Sequence, residues 1–213
     1  MRSSTVHGNE GRQNQILPRV QDKVMGRKPA REVRARVCAG LAGDVVEVGF
    51  GTGLNAYYYP TEVTKAFAIE PSEVCMRLAE PRIARSPVPV ESAGLDGQRL
   101  DLPSEQFDAV LSTWTLCTIP DLGAALEELR RILKPGGRFH FVEHGHAPDA
   151  SIARWQTRLE PFNKRVAGGC HLTRAIPETI EQAGFVVEEL DSYYFKGEPK
   201  PFGYTFEGRA VKR

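Results

Sequence analysis

Asp44-Val-Val-Glu-Val48 runs directly into Gly49-Phe-Gly-Thr-Gly53, and this junction constrains the fold more than any other part of the chain. An apolar run of this length reads as a buried strand. Three alternating glycines after it remove side chains where backbone must turn tightly and come close to a ligand. An acid, Glu70, follows the next apolar run, Lys65-Ala-Phe-Ala-Ile69, 19 residues after Gly51. A carboxylate at that place accepts hydrogen bonds from ribose hydroxyls; its alternative is a helix N-terminal acid beside Pro71.

Strand-like and helical text alternate from there on. Val88-Pro-Val90 reads as a short, proline-marked third strand, Phe107–Leu111 as a fourth and Gly137–Val142 as a fifth. Asp121 caps a helix predicted to run to Lys134, with Leu122, Ala125, Leu126, Leu129, Ile132 and Leu133 at helical spacing and Pro135-Gly136-Gly137 as its stop. Alternation of this kind builds an α/β, doubly wound parallel sheet. After a helix at Ile176–Ala183, the runs Phe185–Leu190 and Tyr204–Val211 have no convincing helix between them, which predicts a terminal antiparallel hairpin. Ligands of such sheets sit outside the carboxyl ends of the strands.

Ile16–Leu41 reads as two helical pieces broken near Pro29, with Ile16, Val20 and Val24 on one face. Arg19–Arg36 carries seven basic residues against two acidic ones. A solvated face, a lid over a substrate and a peripheral contact with a lipid surface all fit. Over the whole chain 28 Lys+Arg meet 27 Asp+Glu, a net charge of +1, which gives no general attraction to nucleic acid. Residues 1–10 lack the apolar core of a secretory signal, and no run approaches the roughly 18 apolar residues of a membrane span. Cys38, Cys75, Cys117 and Cys170 lie 37, 42 and 53 residues apart without a CxxC or CxxH cluster. That spacing predicts reduced thiols in a cytoplasmic protein, with no metal site and no disulfide framework.

The glycine loop reads GxGxG, whereas the dinucleotide fingerprint is GxGxxG; residue 54 is Leu, and no Tyr-x-x-x-Lys pair occurs. A nicotinamide-dependent oxidoreductase is therefore disfavoured. A non-catalytic cofactor-binding module remains open, because the loop and Glu70 would serve it equally.

The stretches VVEVGFGTG (45–53), AIEPS (68–72), FDAVLSTWTLCTIPD (107–121), LEELRRILKPGGRFHFVEH (126–144) and the closing YTFEGRAVK together resemble the class I S-adenosylmethionine-dependent methyltransferases. FVEH, RWQTRLEP and GGCHLTR resemble the methyltransferase-like thiol S-methyltransferases, and the opening ILPRVQDKVM resembles bacterial phosphatidylethanolamine N-methyltransferases. The animal thiol enzymes carry an N-terminal membrane segment, with no counterpart in these residues.

The resemblance implies a Rossmann-like seven-stranded sheet of order 3-2-1-4-5-7-6 with the last strand antiparallel. It implies residues 42–213 as an S-adenosylmethionine-binding domain with residues 1–41 as a helical lid. S-adenosylmethionine is the implied cofactor and a small molecule, such as a thiol, the implied acceptor; phospholipid amines are the alternative. No obligate protein partner is indicated. Gly49, Phe50, Gly51 and Gly53 would line the methionine portion, with Glu47 orienting the loop or meeting the amino group through water. Glu70 would hold the ribose, Pro71 the adenine, Gly94 and Leu95 the adenine edge, and Thr113 the methionine from the other side. The local Ser92-Ala-Gly-Leu-Asp96 departs from the family's Asp-Ala or Asp-Val pair. His144 and Asp96 are the candidates for catalysis, Trp114 and His171 for acceptor contact; loop geometry, a turn-forming Asp-Gly pair and core packing are the competing roles. His140, between Phe139 and Phe141, is expected to pack. Cys170 is not expected to act as a nucleophile, since methyl transfer from a sulfonium needs no covalent intermediate.

Overall fold

The computed structural model describes residues 7–94 and 96–213, with side chains from residue 16 onward. Leu95 and the first six residues lie outside the described part. One sheet carries all seven strands: β1 (Gly43–Val48), β2 (Val63–Ile69), β3 (Val90–Gly94), β4 (Phe107–Thr113), β5 (Leu133–His144), β6 (Phe185–Tyr194) and β7 (Tyr204–Lys212). Their order is β3-β2-β1-β4-β5-β7-β6. β1–β2, β1–β4, β2–β3 and β4–β5 pair in parallel, and β7 pairs antiparallel with both β5 and β6. The order and the antiparallel last strand match the expectation from sequence.

The helices are α1 (His7–Met25), α2 (Lys28–Cys38), α3 (Glu73–Ile83), α4 (Leu122–Ile132), α5 (Ala150–Val166), α6 (Ile176–Gln182) and α7 (Lys200–Gly203). Strand side chains alternate between two apolar layers. Val46, Val48 and Val110 join Leu126, Leu129 and Ile180 on one face; Val45, Ala109 and Leu111 join Val33, Val37 and Ala79 on the other. α2 thus belongs to the core, and only α1 of the N-terminal segment lies over the strand ends.

Three boundaries differ from the sequence reading, each for a backbone reason. The break between α1 and α2 falls at Gly26-Arg27, and Pro29 sits in the first turn of α2, where no N–H is required. The third strand starts at Val90, later than predicted, because Pro87 and Pro89 have no N–H to give a ladder; Ser92, Ala93 and Gly94 are part of it. α4 is capped by Asp121, which accepts from Ala124 N at 3.0 Å. It ends at Ile132 because Leu133 already pairs with Phe107, while Gln106 N and Glu105 N bind the carbonyls of Ile132 and Arg131.

Candidate active site

A cavity of about 1210 Å³ opens at the carboxyl ends of β1, β2, β4 and β5. One-ligand pockets occupy roughly 300–1,000 Å³, so two reactants fit. Its floor is the glycine loop. Gly49 holds φ +71°, and a Cβ there would collide with the Thr115 side chain. Gly49, Phe50 and Gly51 line the cavity. Gly53 faces away: a Cβ on it would stand 3.2 Å from Ala79 Cβ, so this glycine lets α3 approach the loop.

Glu70 is 8% exposed and borders the cavity. Its Oε2 accepts from Gly51 N at 2.7 Å and its Oε1 from Ser72 N at 2.8 Å. Burial raises its pKa against those two N–H groups. Each oxygen retains a lone pair, so the carboxylate can still take ribose hydroxyls. Pro71 also borders the cavity. Gly94 does not; its carbonyl receives Glu70 N at 3.1 Å. Ribose and adenine would therefore lie over the end of β2, and a methionine tail over the glycine loop toward Thr113.

Glu47 is buried beneath the loop and does not border the cavity. It accepts from Asn55 Nδ2 at 2.9 Å and from the Tyr59 hydroxyl, and burial pushes its pKa up to about 7. Its work is to position Asn55. Of the Tyr57–Tyr59 run, Tyr59 is committed to Glu47, Tyr58 packs in the core and Tyr57 is exposed; none borders the cavity.

Arg34, on α2, was one basic residue among seven in sequence. It is 5% exposed, lines the cavity, and donates from Nη1 to Asn55 Oδ1 (2.7 Å) and Thr113 Oγ1 (3.0 Å). Its Nε has no hydrogen-bond partner among the described residues. Nε is closed off from the cavity, and the nitrogen offered to a ligand is Nη2, which makes no hydrogen bond among the described residues and suits the carboxylate of an amino-acid tail. The remaining basic stretch is partly used within the fold: Arg36 pairs with Glu207 at 2.7 Å and Arg31 donates to Gly26 O at 2.6 Å. No described helix is long and apolar enough to cross a membrane.

α1 roofs the cavity. Thr52 Oγ1 and Arg82 both donate to the Asp22 carboxylate, and Leu17, Val20, Gln21 and Val24 face the cavity. The shared face of Ile16, Val20 and Val24 is exposed rather than packed in the core.

On the opposite side lie the ends of β4 and β5. Trp114 turns the chain with φ +53° and lies 5.0 Å under the Arg34 guanidinium. Glu143, fully buried, accepts from Ser112 Oγ (2.7 Å), Thr115 N (3.0 Å) and Cys117 N (3.2 Å), and so fixes that turn. Thr113, Trp114 and His144 border the cavity. Asp96 does too, but it is exposed and its Oδ1 accepts from Gln98 N at 2.9 Å, the turn-forming role. His171 does not reach the cavity; it meets Glu160 Oε1 at 3.2 Å. The cysteines are less scattered than their spacing predicts: Cys117 and Cys170 converge on His144. The hydrogen bond to Cys170, with burial adding to it, pushes the Cys117 thiol up, while that same bond, with His144 adding to it, holds Cys170 down against burial.

Residues 46–141 match the Methyltransferase domain family. Thiol S-methyltransferase TMT1B of Rattus norvegicus is 33% identical over 179 residues, covering 79% of this chain and 70% of the relative. The chain belongs to the class I S-adenosylmethionine-dependent methyltransferases. A phosphatidylethanolamine N-methyltransferase of Cereibacter sphaeroides is 30% identical over 149 residues, 70% of this chain and 72% of that one. A crystal structure of a SAM-dependent methyltransferase from Thermotoga maritima superposes with a TM-score of 0.61 at 21% identity, over 96% of this chain and 95% of that chain. As a methyltransferase of this class, the enzyme uses S-adenosylmethionine to methylate a small molecule. The residues fit that cofactor at both ends, through Glu70 for the ribose and the unsatisfied Arg34 for the amino-acid carboxylate.

Proposed function

We propose that the enzyme methylates the sulfur of a small, lipophilic thiol. The observation that carries this reading is the apolar part of the cavity toward β4 and β5. There Trp114, Leu172, Phe202 and Val166 join Val20 and Val24 of the roof. Such a lining removes water from an uncharged acceptor and disfavours a highly solvated one. The thiol S-methyltransferase relative supports sulfur as the accepting atom.

S-adenosylmethionine, when bound, supplies an electrophilic methyl group on a sulfonium with a neutral thioether as leaving group. Arg34 and Glu70 would hold its two ends, and Gly49 lets the backbone meet it closely. Trp114 and the apolar lining place the acceptor and keep water out, so most of the acceleration comes from positioning, worth up to about 7–11 kcal/mol in ideal cases. A free thiol, with a pKa near ~8.5, is partly ionised at neutral pH, so little proton removal is asked of the protein. α1 serves as a lid in this reading: its clip to Arg82 and Thr52 opens for exchange of reactants and closes for reaction. Reduced thiols at all four cysteines suit a cytoplasmic setting.

The test is a mass-spectrometric screen for a methyl gain on matched alkyl and aryl thiols, amines and phenols. Methylated thiols, with amines and phenols at background, is the expected outcome. Turnover of amines or phenols with thiols untouched would reject the reading.

A further inference from the structure

Cys117, His144 and Cys170 reach one point from three separate segments. Their backbones are fixed by other groups. Cys117 N donates to Glu143 Oε2, Cys117 O accepts from His171 N at 2.8 Å, and Cys170 O accepts from Asn163 Nδ2 at 2.9 Å. Their ligand atoms all lie within 4.8 Å of one another, with His144 Nδ1 4.0 Å from Cys170 Sγ. All three residues border the cavity. Glu198 Oε2 stands 3.7 Å from the other ring nitrogen, Nε2.

We propose that Cys117, His144 and Cys170 hold a zinc ion whose fourth position faces the cavity and takes the sulfur of the acceptor. The identity of that fourth ligand rests on the thiol reading above; the three-residue site does not. In a tetrahedral zinc site, with bonds of about 2.3 Å to sulfur and 2.0–2.1 Å to nitrogen, neighbouring ligand atoms stand roughly 3.5–3.8 Å apart. Closing around the ion needs movements of no more than about 1 Å. Two sulfurs and an imidazole select a soft-to-borderline ion of tetrahedral preference. Two thiolates neutralise Zn²⁺, which removes the cost of burying unpaired charge. Glu198, 3.7 Å from Nε2, would need to close by less than about 1 Å to accept from Nε2–H while Nδ1 binds the metal, which would give the carboxylate–histidine–zinc arrangement that fixes tautomer and ring orientation.

Three protein ligands plus an open position is the pattern of catalytic zinc. An acceptor thiol that replaces the fourth-position water loses its proton to solvent and is held as thiolate. Its sulfur electron pair then forms the new carbon–sulfur bond as the methyl–sulfonium bond breaks. The neutral thioether product is a weaker ligand and leaves, and zinc keeps its oxidation state throughout.

The full chain, purified with reductant, is expected to carry about one zinc per chain by elemental analysis. Cys117→Ser and Cys170→Ser should each lose most of it, and Cys38→Ala should keep it; binding of S-adenosylhomocysteine by each variant checks that it is folded. Cobalt substituted for zinc should show tetrahedral absorption with a sulfur-to-cobalt band that intensifies when a small thiol is added without cofactor. A reduced wild-type protein that takes up no metal from excess zinc, or a Cys117–Cys170 disulfide with no metal, would overturn the site. Metal bound with a cobalt spectrum indifferent to thiols that are turned over would overturn the fourth-position assignment. Cobalt that responds to thiols in an enzyme methylating only amines would leave the site standing and remove the thiol reading instead.

Discussion

The Arg82 guanidinium grips both oxygens of the Asp22 carboxylate, at 2.8 and 3.1 Å, and so fastens α1 to α3 across the glycine loop. Arg82 Nη1 also donates to Thr52 O at 2.8 Å, and Thr52 Oγ1 donates to Asp22. The roof is thereby tied to the glycine loop, which in the proposed reading meets the cofactor. Both side chains are largely shielded from water, so the pair is worth more than an exposed one, about 1–2 kcal/mol. Asp22→Ala should weaken S-adenosylhomocysteine binding by roughly 5–30-fold in calorimetry. Arg82→Lys should not preserve the affinity, since a lysine cannot make the paired contact. Unchanged binding in Asp22→Ala would detach α1 from cofactor capture.

Arg34 is expected to read the amino-acid end of the cofactor. A charge-assisted hydrogen bond is worth about 1.5–3 kcal/mol, so Arg34→Met should reduce affinity for S-adenosylhomocysteine by roughly 10–150-fold. Methylthioadenosine lacks the amino-acid tail and should bind wild type and variant alike. Equal losses for both ligands would mean that Arg34 acts through Asn55 and Thr113 rather than on the ligand. Arg34→Met also strips the buried Asn55 Oδ1 of its donor, a cost of about 1–3 kcal/mol, so the unliganded variant should melt below the wild-type temperature.

How much of this was legible depends on how local the signal was. The doubly wound parallel sheet and its terminal hairpin are legible in the alternation of strand and helix text, with glycines 49–53, Glu70 and the Asp121 cap each readable within a dozen residues; the strand order comes only from the resemblance to the methyltransferases. The start of β3 differs because the apolar Val-Pro-Val triplet reads as a strand although its proline has no N–H to give a ladder and joins only through its carbonyl, which accepts from Ala66 N. Arg34 was hidden by its six basic neighbours; only its place between Val33 and Val37, both core residues, separates it from them. Gly53 enters as a cofactor contact through the resemblance, and the alternation of glycines does not tell which one faces the ligand and which faces α3. The meeting of Cys117, His144 and Cys170 had no local trace. It arises because loops after β4, β5 and α5 all end over the same strand ends, a property of topology rather than of spacing.

Gly49 and Gly136 separate two costs of adding a methyl group. Both hold positive φ, +71° and +75°. A Cβ on Gly136 meets nothing within 4 Å, whereas one on Gly49 would stand 2.6 Å from Thr115 Cβ and overlap its hydroxyl. Gly136→Ala therefore carries only the left-handed backbone penalty, about 1–2 kcal/mol. Gly49→Ala adds an overpacking cost of about 1–3 kcal/mol and displaces the Thr115 turn beside the cofactor. Thermal melts should show the larger drop for Gly49→Ala, and cofactor binding should be lost in it alone. Comparable behaviour of the two variants would show that the Thr115 turn moves aside freely.

His140 sets an acid limit on the fold. It is wholly buried on β5, with Nδ1 2.7 Å from Val37 O of α2 and no partner for Nε2 among the described residues. Burial pulls its pKa from 6.5 down to about 4. The unfolded chain then binds a proton that the native chain refuses between those two values. Stability from the neutral ring is complete above about pH 6.5 and is lost as pH falls toward 4, with no further loss below. A shift of that size corresponds to about 3–4 kcal/mol, or roughly 6–16 °C in a chain of this length. The buried Glu47 and Glu143, with raised pKa values, act in the opposite direction. They are common to wild type and His140→Asn, so they cancel in the comparison. The difference in melting temperature between the two proteins should therefore change in favour of His140→Asn as pH drops from 7 to 4, even though the variant starts lower. Parallel melting curves across that range would mean that His140 finds a way to hold its proton inside the folded protein.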